Sequence, residues 1–215
     1  MKFPVVGLGL FGKKLARELS ELGHQVLAID IDDAAVSAVQ DDVNKAVIGD
    51  VTQTGLLEEL LTEDFDAVIV TLATNIEASL MAVMQAKEIG VNTIIAKSGS
   101  PQHTKILKRV GVGTIFSPEE DIAEQLAMKL GKPNVHEYLE FHNGHSLLEM
   151  VVPEFFVGEC LRDLNLREDH QVQVIAVQKG GTGDMNYVPS PTDPFGEDDV
   201  VWLTGPKEVL DDLAE

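Results

Sequence analysis

Gly7-Leu-Gly-Leu-Phe-Gly12 stands directly behind an apolar run at residues 3–6, and an acid, Asp30, closes a second apolar run 18 residues beyond Gly12. Each glycine has its own task in such a crossover. Gly7 lets the chain turn off a strand, Gly9 lets the backbone approach a pyrophosphate, and Gly12 lets the next helix pack closely on the strand. The N–H groups at the helix start, carried by Leu10, Phe11 and Gly12, then bind anionic oxygens. Asp30, followed by Ile31, is placed to accept hydrogen bonds from ribose hydroxyls, and its charge disfavours the 2′-phosphate of NADP. The other role open to Asp30, capping the next helix, is better met by Asp32 or Asp33.

More polar residues follow the later apolar runs, at the edge where sheets of this kind bind ligands. Asp50 and Val51 follow the third run, near where an adenine would lie, although Asp50 serves equally as a solvated turn acid. Asn75 and Lys97 follow the fourth and fifth runs, as pocket-edge groups or as ordinary loop polarity. Ser117 and Glu120 form a capping box at a later helix start, which leaves Glu119 without a capping task. Glu119 is then a helix-dipole acid or a ligand for a divalent cation beside bound phosphates. His142-x-x-His145, with Glu140 nearby, reads as exposed polar sequence because no second cluster accompanies it.

Catalytic equipment is missing. A tyrosine four residues before a lysine, the common proton donor of short-chain dehydrogenases, does not occur: Tyr138 and Tyr187 are followed at that distance by His142 and Pro191. There is no Gly-x-Ser-x-Gly elbow and no Walker-type Gly-Lys-Ser/Thr motif. No catalytic residue is assigned, and a nucleotide site without catalytic groups suggests a sensor, not an enzyme.

The elements that must hold these residues follow from periodicity. Continuous apolar runs at 26–29, 46–48, 67–72, 93–96 and 114–116 read as parallel strands buried on both faces. The helices between them have recognisable starts: a Thr74–Glu77 capping box, and caps at Ser100 and Ser117, each followed by proline. This pattern predicts a Rossmann-like, doubly wound parallel sheet of about six strands over residues 1–132, ending at Gly131-Lys-Pro133. Residues 133–215 show shorter alternating segments at 137–142, 147–152, 172–179 and 200–203, with helical stretches at 161–164 and from Pro206. A small α+β domain is expected there.

Bulk properties narrow the class. The chain has 215 residues, 44% hydrophobic content and a net charge of −20, which repels phosphate backbones and makes nucleic acid a poor partner, so none is expected. Residues 1–132 hold 12 basic and 19 acidic side chains and residues 133–215 hold 4 and 17, giving −7 and −13, so the second part is the more acidic. No apolar run reaches the roughly 20 residues needed to span a bilayer, so direct membrane insertion is not expected. The opening residues read as a first strand, not a signal segment, and a cytoplasmic location is expected. Cys160, the one cysteine, excludes an internal disulfide and is expected to be a small buried hydrophobe.

With these residues the chain resembles the regulator-of-potassium-conductance family, the cytosolic ring-forming subunits of Ktr- and Trk-type potassium uptake systems, over essentially its whole length. The resemblance implies a phosphate loop at Gly7, Gly9 and Gly12, a ribose acid at Asp30, and pocket residues at Asp50, Asn75 and Lys97. It implies an intersubunit magnesium or calcium ligand at Glu119. The adenine nucleotide would be ATP or ADP, or NAD or NADH. Residues 151–204, including Asp163-Leu-Asn-Leu-Arg167, resemble the family's C-terminal module, which in Ktr-type relatives binds cyclic di-AMP. Arg162 stands where an apolar neighbour is common. Ktr-type relatives usually carry arginine at the position of Leu10, reaching the terminal phosphate of a nucleotide on the neighbouring subunit, and leucine cannot do that. The implied partner is a membrane potassium-translocating subunit, and the implied assembly a homo-oligomer from dimer to octameric ring at the inner face of the membrane. The competing readings are an NAD-dependent oxidoreductase and a free-standing NAD(H) redox sensor.

Overall fold

The computed structural model describes residues 1–61, 65–141 and 144–215, and these form two compact units, Met1–Pro118 and Glu119–Glu215. In the first unit strands and helices alternate: β1 (Lys2–Val6), α1 (Leu10–Glu21), β2 (Gln25–Asp30), α2 (Asp33–Ser37), β3 (Lys45–Ile48), α3 (Leu56–Leu60), β4 (Val68–Val70), α4 (Ile76–Glu88), β5 (Ile94–Lys97), α5 (Pro101–Val110) and β6 (Thr114–Phe116). Among the described residues the strands form one parallel sheet in the order β3-β2-β1-β4-β5-β6. The order reverses at β1, between β2 and β4, so the crevice for a ligand opens at the carboxyl ends of β1 and β4. This is the doubly wound sheet expected from the sequence.

Alternate strand residues feed two cores, as the two-residue period of a strand requires. Val6, Leu27, Ile29, Val68 and Val70 pack with residues of α3, α4 and α5, while Val5, Val26, Ala28 and Ile69 pack with α1 and α2. Burial on both faces holds for the central strands but not for the edges. Lys45 and Ile48 of β3 and Thr114 of β6 are exposed, because an edge strand lacks a neighbour on one side and full helix cover.

Two helix starts match their sequence signals. Ser100 caps α5 by accepting the His103 N–H at 3.2 Å, ahead of Pro101, and Asp32 caps α2 by accepting the Ala34 N–H at 3.0 Å. The start of α4 differs from its expected capping box. The cap is Asn75, whose Oδ1 accepts the Ala78 N–H at 3.0 Å, one residue later than Thr74. Asparagine and threonine both accept the backbone N–H three residues on, so either could have closed this turn, one residue apart.

The second unit begins at Glu119, one residue into α6 (Pro118–Gly131) and earlier than the Gly131-Lys-Pro133 joint suggested, and Met128 of this helix packs on that unit's core. There follow β7 (Val135–Glu140), β8 (His145–Val151), a 3-10 turn (Glu154–Phe156), α7 (Leu161–Leu164), α8 (Leu166–His170), β9 (Gln173–Gln178), β10 (Met185–Asn186), β11 (Val200–Pro206) and α9 (Lys207–Leu213). The strands form an antiparallel sheet in the order β10-β9-β11-β8-β7. Cys160 is buried as expected, and its Sγ also donates to Asp163 Oδ2 at 2.9 Å. Asp199, almost fully buried, accepts Gly180 N–H on Oδ1 at 2.9 Å, and Gly196 N–H at 2.9 Å and Lys179 Nζ at 2.7 Å on Oδ2.

Candidate functional site

The Gly-rich loop is shaped by backbone geometry that only glycine meets at two of its three positions. Gly7 adopts φ +99°, and a Cβ there would lie 2.8 Å from Leu72 Cδ2. A Cβ on Gly12 would lie 1.9 Å from the Gly7 carbonyl oxygen, so α1 could not pack where it does. Gly9 is the opposite case. It precedes α1 and a Cβ would meet nothing within 4 Å, so its missing side chain leaves room for an outside molecule and not for the fold.

Asp30 ends β2 and turns its carboxylate back on the loop. Oδ2 accepts the Leu8 N–H at 2.5 Å and Oδ1 accepts the Asp32 N–H at 2.9 Å. Its own carbonyl accepts the Gly49 N–H at 2.8 Å, which brings the end of β3 alongside. A carboxylate has about four acceptor sites, so Asp30 keeps capacity for further donors after these bonds. Leu10, at 89% exposure, and Ile31, at 67%, stand open next to this junction.

Lys97, at 9% exposure, and Phe11 meet across the crevice: Nζ lies 5.6 Å from the Phe11 ring centroid, and Phe11 stacks against Phe116 with ring centroids 5.1 Å apart. The ring and the ammonium attract each other, which places a positive charge near the first turn of α1. Asp50 serves its own turn. Oδ1 accepts both the hydroxyl of Thr52 at 2.7 Å and its N–H at 2.9 Å, and the hydroxyl bond foremost holds the Asp50 carboxyl below the usual range. Val51 is buried in the core and its carbonyl accepts from Gln85 Nε2 at 2.7 Å, so its side chain faces away from a ligand. Asn75 spends its side-chain oxygen on the α4 cap. Gly7, Gly9, Leu10, Phe11, Gly12, Asp30 and Lys97 are thus drawn to one edge, with Ile31 beside them. Asp50, Val51 and Asn75 carry structural bonds in the neighbouring loops.

Several residues of this edge have no local signal in the sequence. The Thr71 hydroxyl donates to the Gly7 carbonyl at 2.5 Å and ties the end of β4 to the Gly-rich loop. A Cβ on Gly99 would lie 2.3 Å from the Ala73 carbonyl oxygen, so the turns after β4 and β5 touch backbone to backbone. Gln85, buried in α4, donates to the Val51 and Gln53 carbonyls and accepts the Leu57 N–H at 3.1 Å. Buried His103 lies between Gly99 and Ser79.

Glu119 lies in the first turn of α6, in the other unit from the Gly-rich loop. His142 lies outside the described residues, so the His142-x-x-His145 pair is not described. Among the described residues no cluster of three histidine, cysteine or carboxylate side chains could hold a metal ion. No described helix is long and apolar enough to cross a membrane.

In the second unit a groove of about 720 Å³ is lined by residues including Arg162, Asn165, Arg167, Ile175, Tyr187 and Pro191. Two guanidinium groups beside apolar and aromatic side chains suit a ligand that carries both phosphates and bases.

Residues 3–118 match the TrkA-N domain and residues 147–215 the TrkA-C domain. The chain is 35% identical over 204 residues to the Ktr system potassium uptake protein C of Bacillus subtilis, covering 95% of this chain and 91% of that protein. It is 31% identical to the Ktr system potassium uptake protein A of the same organism, covering 96% and 92%. A solved structure described as the GsuK channel bound to NAD superposes with a TM-score of 0.63 at 18% identity. That match covers all of this chain and 39% of the channel chain, so this chain spans under half of that protein, and the likeness shows a shared fold. By its two domains and its full-length relatives, the chain belongs to the TrkA-N/TrkA-C family of Ktr-type potassium uptake proteins.

Proposed function

We propose that the chain is a cytoplasmic, nucleotide-binding regulatory subunit of a potassium uptake system. It binds an adenine nucleotide across residues 7–12, with the ribose on Asp30. The observation that carries this reading is the junction at Asp30: a carboxylate already bonded to the Gly-rich loop at Leu8, beside a Gly9 whose Cβ direction is open. The names of the relatives support the potassium system, and the missing acid-base pair supports binding over turnover. The nucleotide is an adenine mononucleotide or NAD(H), not NADP, because Asp30 repels a 2′-phosphate.

In the same reading several copies form a ring that docks on a membrane potassium-translocating subunit. Glu119 contributes to a magnesium or calcium site once nucleotide phosphates supply the remaining hard oxygens. The Arg162–Arg167 groove of the second unit is the place for cyclic di-AMP.

Calorimetric titration with ATP, ADP, AMP, NAD and NADH, repeated with added magnesium or calcium, tests the site. Potassium flux through the co-reconstituted membrane subunit tests the output. At least one nucleotide is expected to bind and to change flux, with a cation dependence lost in Glu119→Gln. A protein that binds none of the five, or a flux that ignores all of them, overturns the proposal.

A further inference from the structure

His103 is fully buried near the start of α5. Its Nδ1 accepts the Gly99 N–H at 3.4 Å, and its Nε2 lies 3.2 Å from Ser79 Oγ on α4. A backbone N–H can only donate, so Nδ1 is the bare nitrogen, and the neutral ring carries its proton on Nε2, which donates to the Ser79 hydroxyl. The imidazole thereby spans from α4 to the turn that follows Lys97.

That turn is tightly specified. Ser98 Oγ donates to the Ser100 carbonyl at 2.9 Å, and Thr104 Oγ1 donates to Ser98 Oγ at 2.7 Å. Gly99 lies against the Ala73 carbonyl with no room for a Cβ. One residue before the turn, Lys97 reaches over Phe11 of the Gly-rich segment. Displacing Gly99 would therefore displace the ammonium group that meets the first turn of α1.

We propose that His103 is a positioning residue for nucleotide binding: by accepting the Gly99 N–H through Nδ1 it fixes the turn after β5, and with it Lys97, at the edge of the Gly-rich loop. This rests on the nucleotide reading above. Burial pushes the imidazole pKa down and keeps the ring neutral at neutral pH, the state in which Nδ1 accepts.

The test compares His103→Asn with His103→Gln in calorimetric titrations with NADH and with ADP. The asparagine Oδ1 falls near the Nδ1 position and keeps an acceptor for Gly99, whereas the glutamine amide reaches toward Ser79 and leaves Gly99 without one. Nucleotide affinity is expected to stay within about twofold of the parent in His103→Asn and to fall about tenfold in His103→Gln, a factor of ten being about 1.4 kcal/mol. Equal affinity in both variants, whether kept or lost, overturns the inference. Should either variant not fold, imidazole nitrogen NMR of the parent decides: a ring protonated on Nε2 is expected, and one protonated on Nδ1 overturns the inference. If the parent itself binds no nucleotide, the functional reading fails. Parent binding with indifferent variants sinks this inference alone.

Discussion

The carboxylate of Asp30 accepts the N–H of Leu8 at 2.5 Å, a bond that joins the end of β2 to the Gly-rich loop across 22 residues of sequence. Asp30 therefore holds the loop, and its remaining acceptor capacity is what the proposed ribose contact would use.

Replacing Asp30 by alanine should weaken adenine-nucleotide binding by about 1–3 kcal/mol, the scale of hydrogen bonds lost from a charged acceptor. Calorimetry on parent and variant checks it, and unchanged affinity for every nucleotide would move the ribose elsewhere.

Gly9→Ala and Gly12→Ala should separate folding from binding. At Gly12 the added methyl meets the Gly7 carbonyl, so stability should drop by about 1–3 kcal/mol, as in overpacked sites. At Gly9 the methyl meets nothing, so denaturant midpoints should barely move while nucleotide affinity falls about tenfold or more. Paired unfolding and binding curves decide, and a Gly9→Ala variant that binds normally contradicts the assigned phosphate approach.

His103 gives stability a pH dependence of definite sign. Its folded pKa is depressed by burial below the ordinary 6.5, so on acidification the unfolded chain binds this proton before the folded one does. Its contribution is complete above about 6.5 and is lost as the pH falls from there through the folded value. Melting temperatures measured from about pH 7.5 down to pH 5 should decline more steeply in the parent than in His103→Asn. Parallel declines would assign the acid sensitivity to other groups.

Asp199 acts at lower pH. Burial alone would raise its pKa, but Lys179 and the N–H groups of Gly196 and Gly180 outweigh it and hold the carboxyl below its usual 3.8. The stability this provides is present above about 3.8 and disappears as the pH falls through the folded value. Asp199→Asn should cost about 1–3 kcal/mol at neutral pH, since the amide cannot satisfy the same three donors. The variant should also lose part of the acid dependence in denaturant unfolding.

What was legible in the sequence was local. The glycine spacing, Asp30, the Ser100 and Asp32 caps and the alternation of strands and helices all depend on residues a few positions apart, or on one fixed βαβ geometry. Thr71 is 64 residues from the carbonyl it grips, and Gln85 reaches back 28 to 34 residues to its partners. No short window marks either as more than a polar residue near a strand or in a helix. Gly99 resembles any turn glycine until the Ala73 carbonyl is seen against it. α8 and β10 are too brief for a periodic signal. The cap of α4 moved by one residue because Thr74 and Asn75 are adjacent and both can cap.

α4 also has a mechanical consequence. One end of this helix meets His103 through Ser79, and six residues on Gln85 holds the backbone of Val51, Gln53 and Leu57. The turn after β3 and the turn after β5 lie on opposite sides of the crevice, yet both are fastened to the same rigid rod. A rotation of α4 by even one residue, about 100°, would unfasten both at once. The two walls of the crevice therefore share one register and are built to travel as a pair, so a push on α4 from outside would be felt on both sides of a bound molecule together.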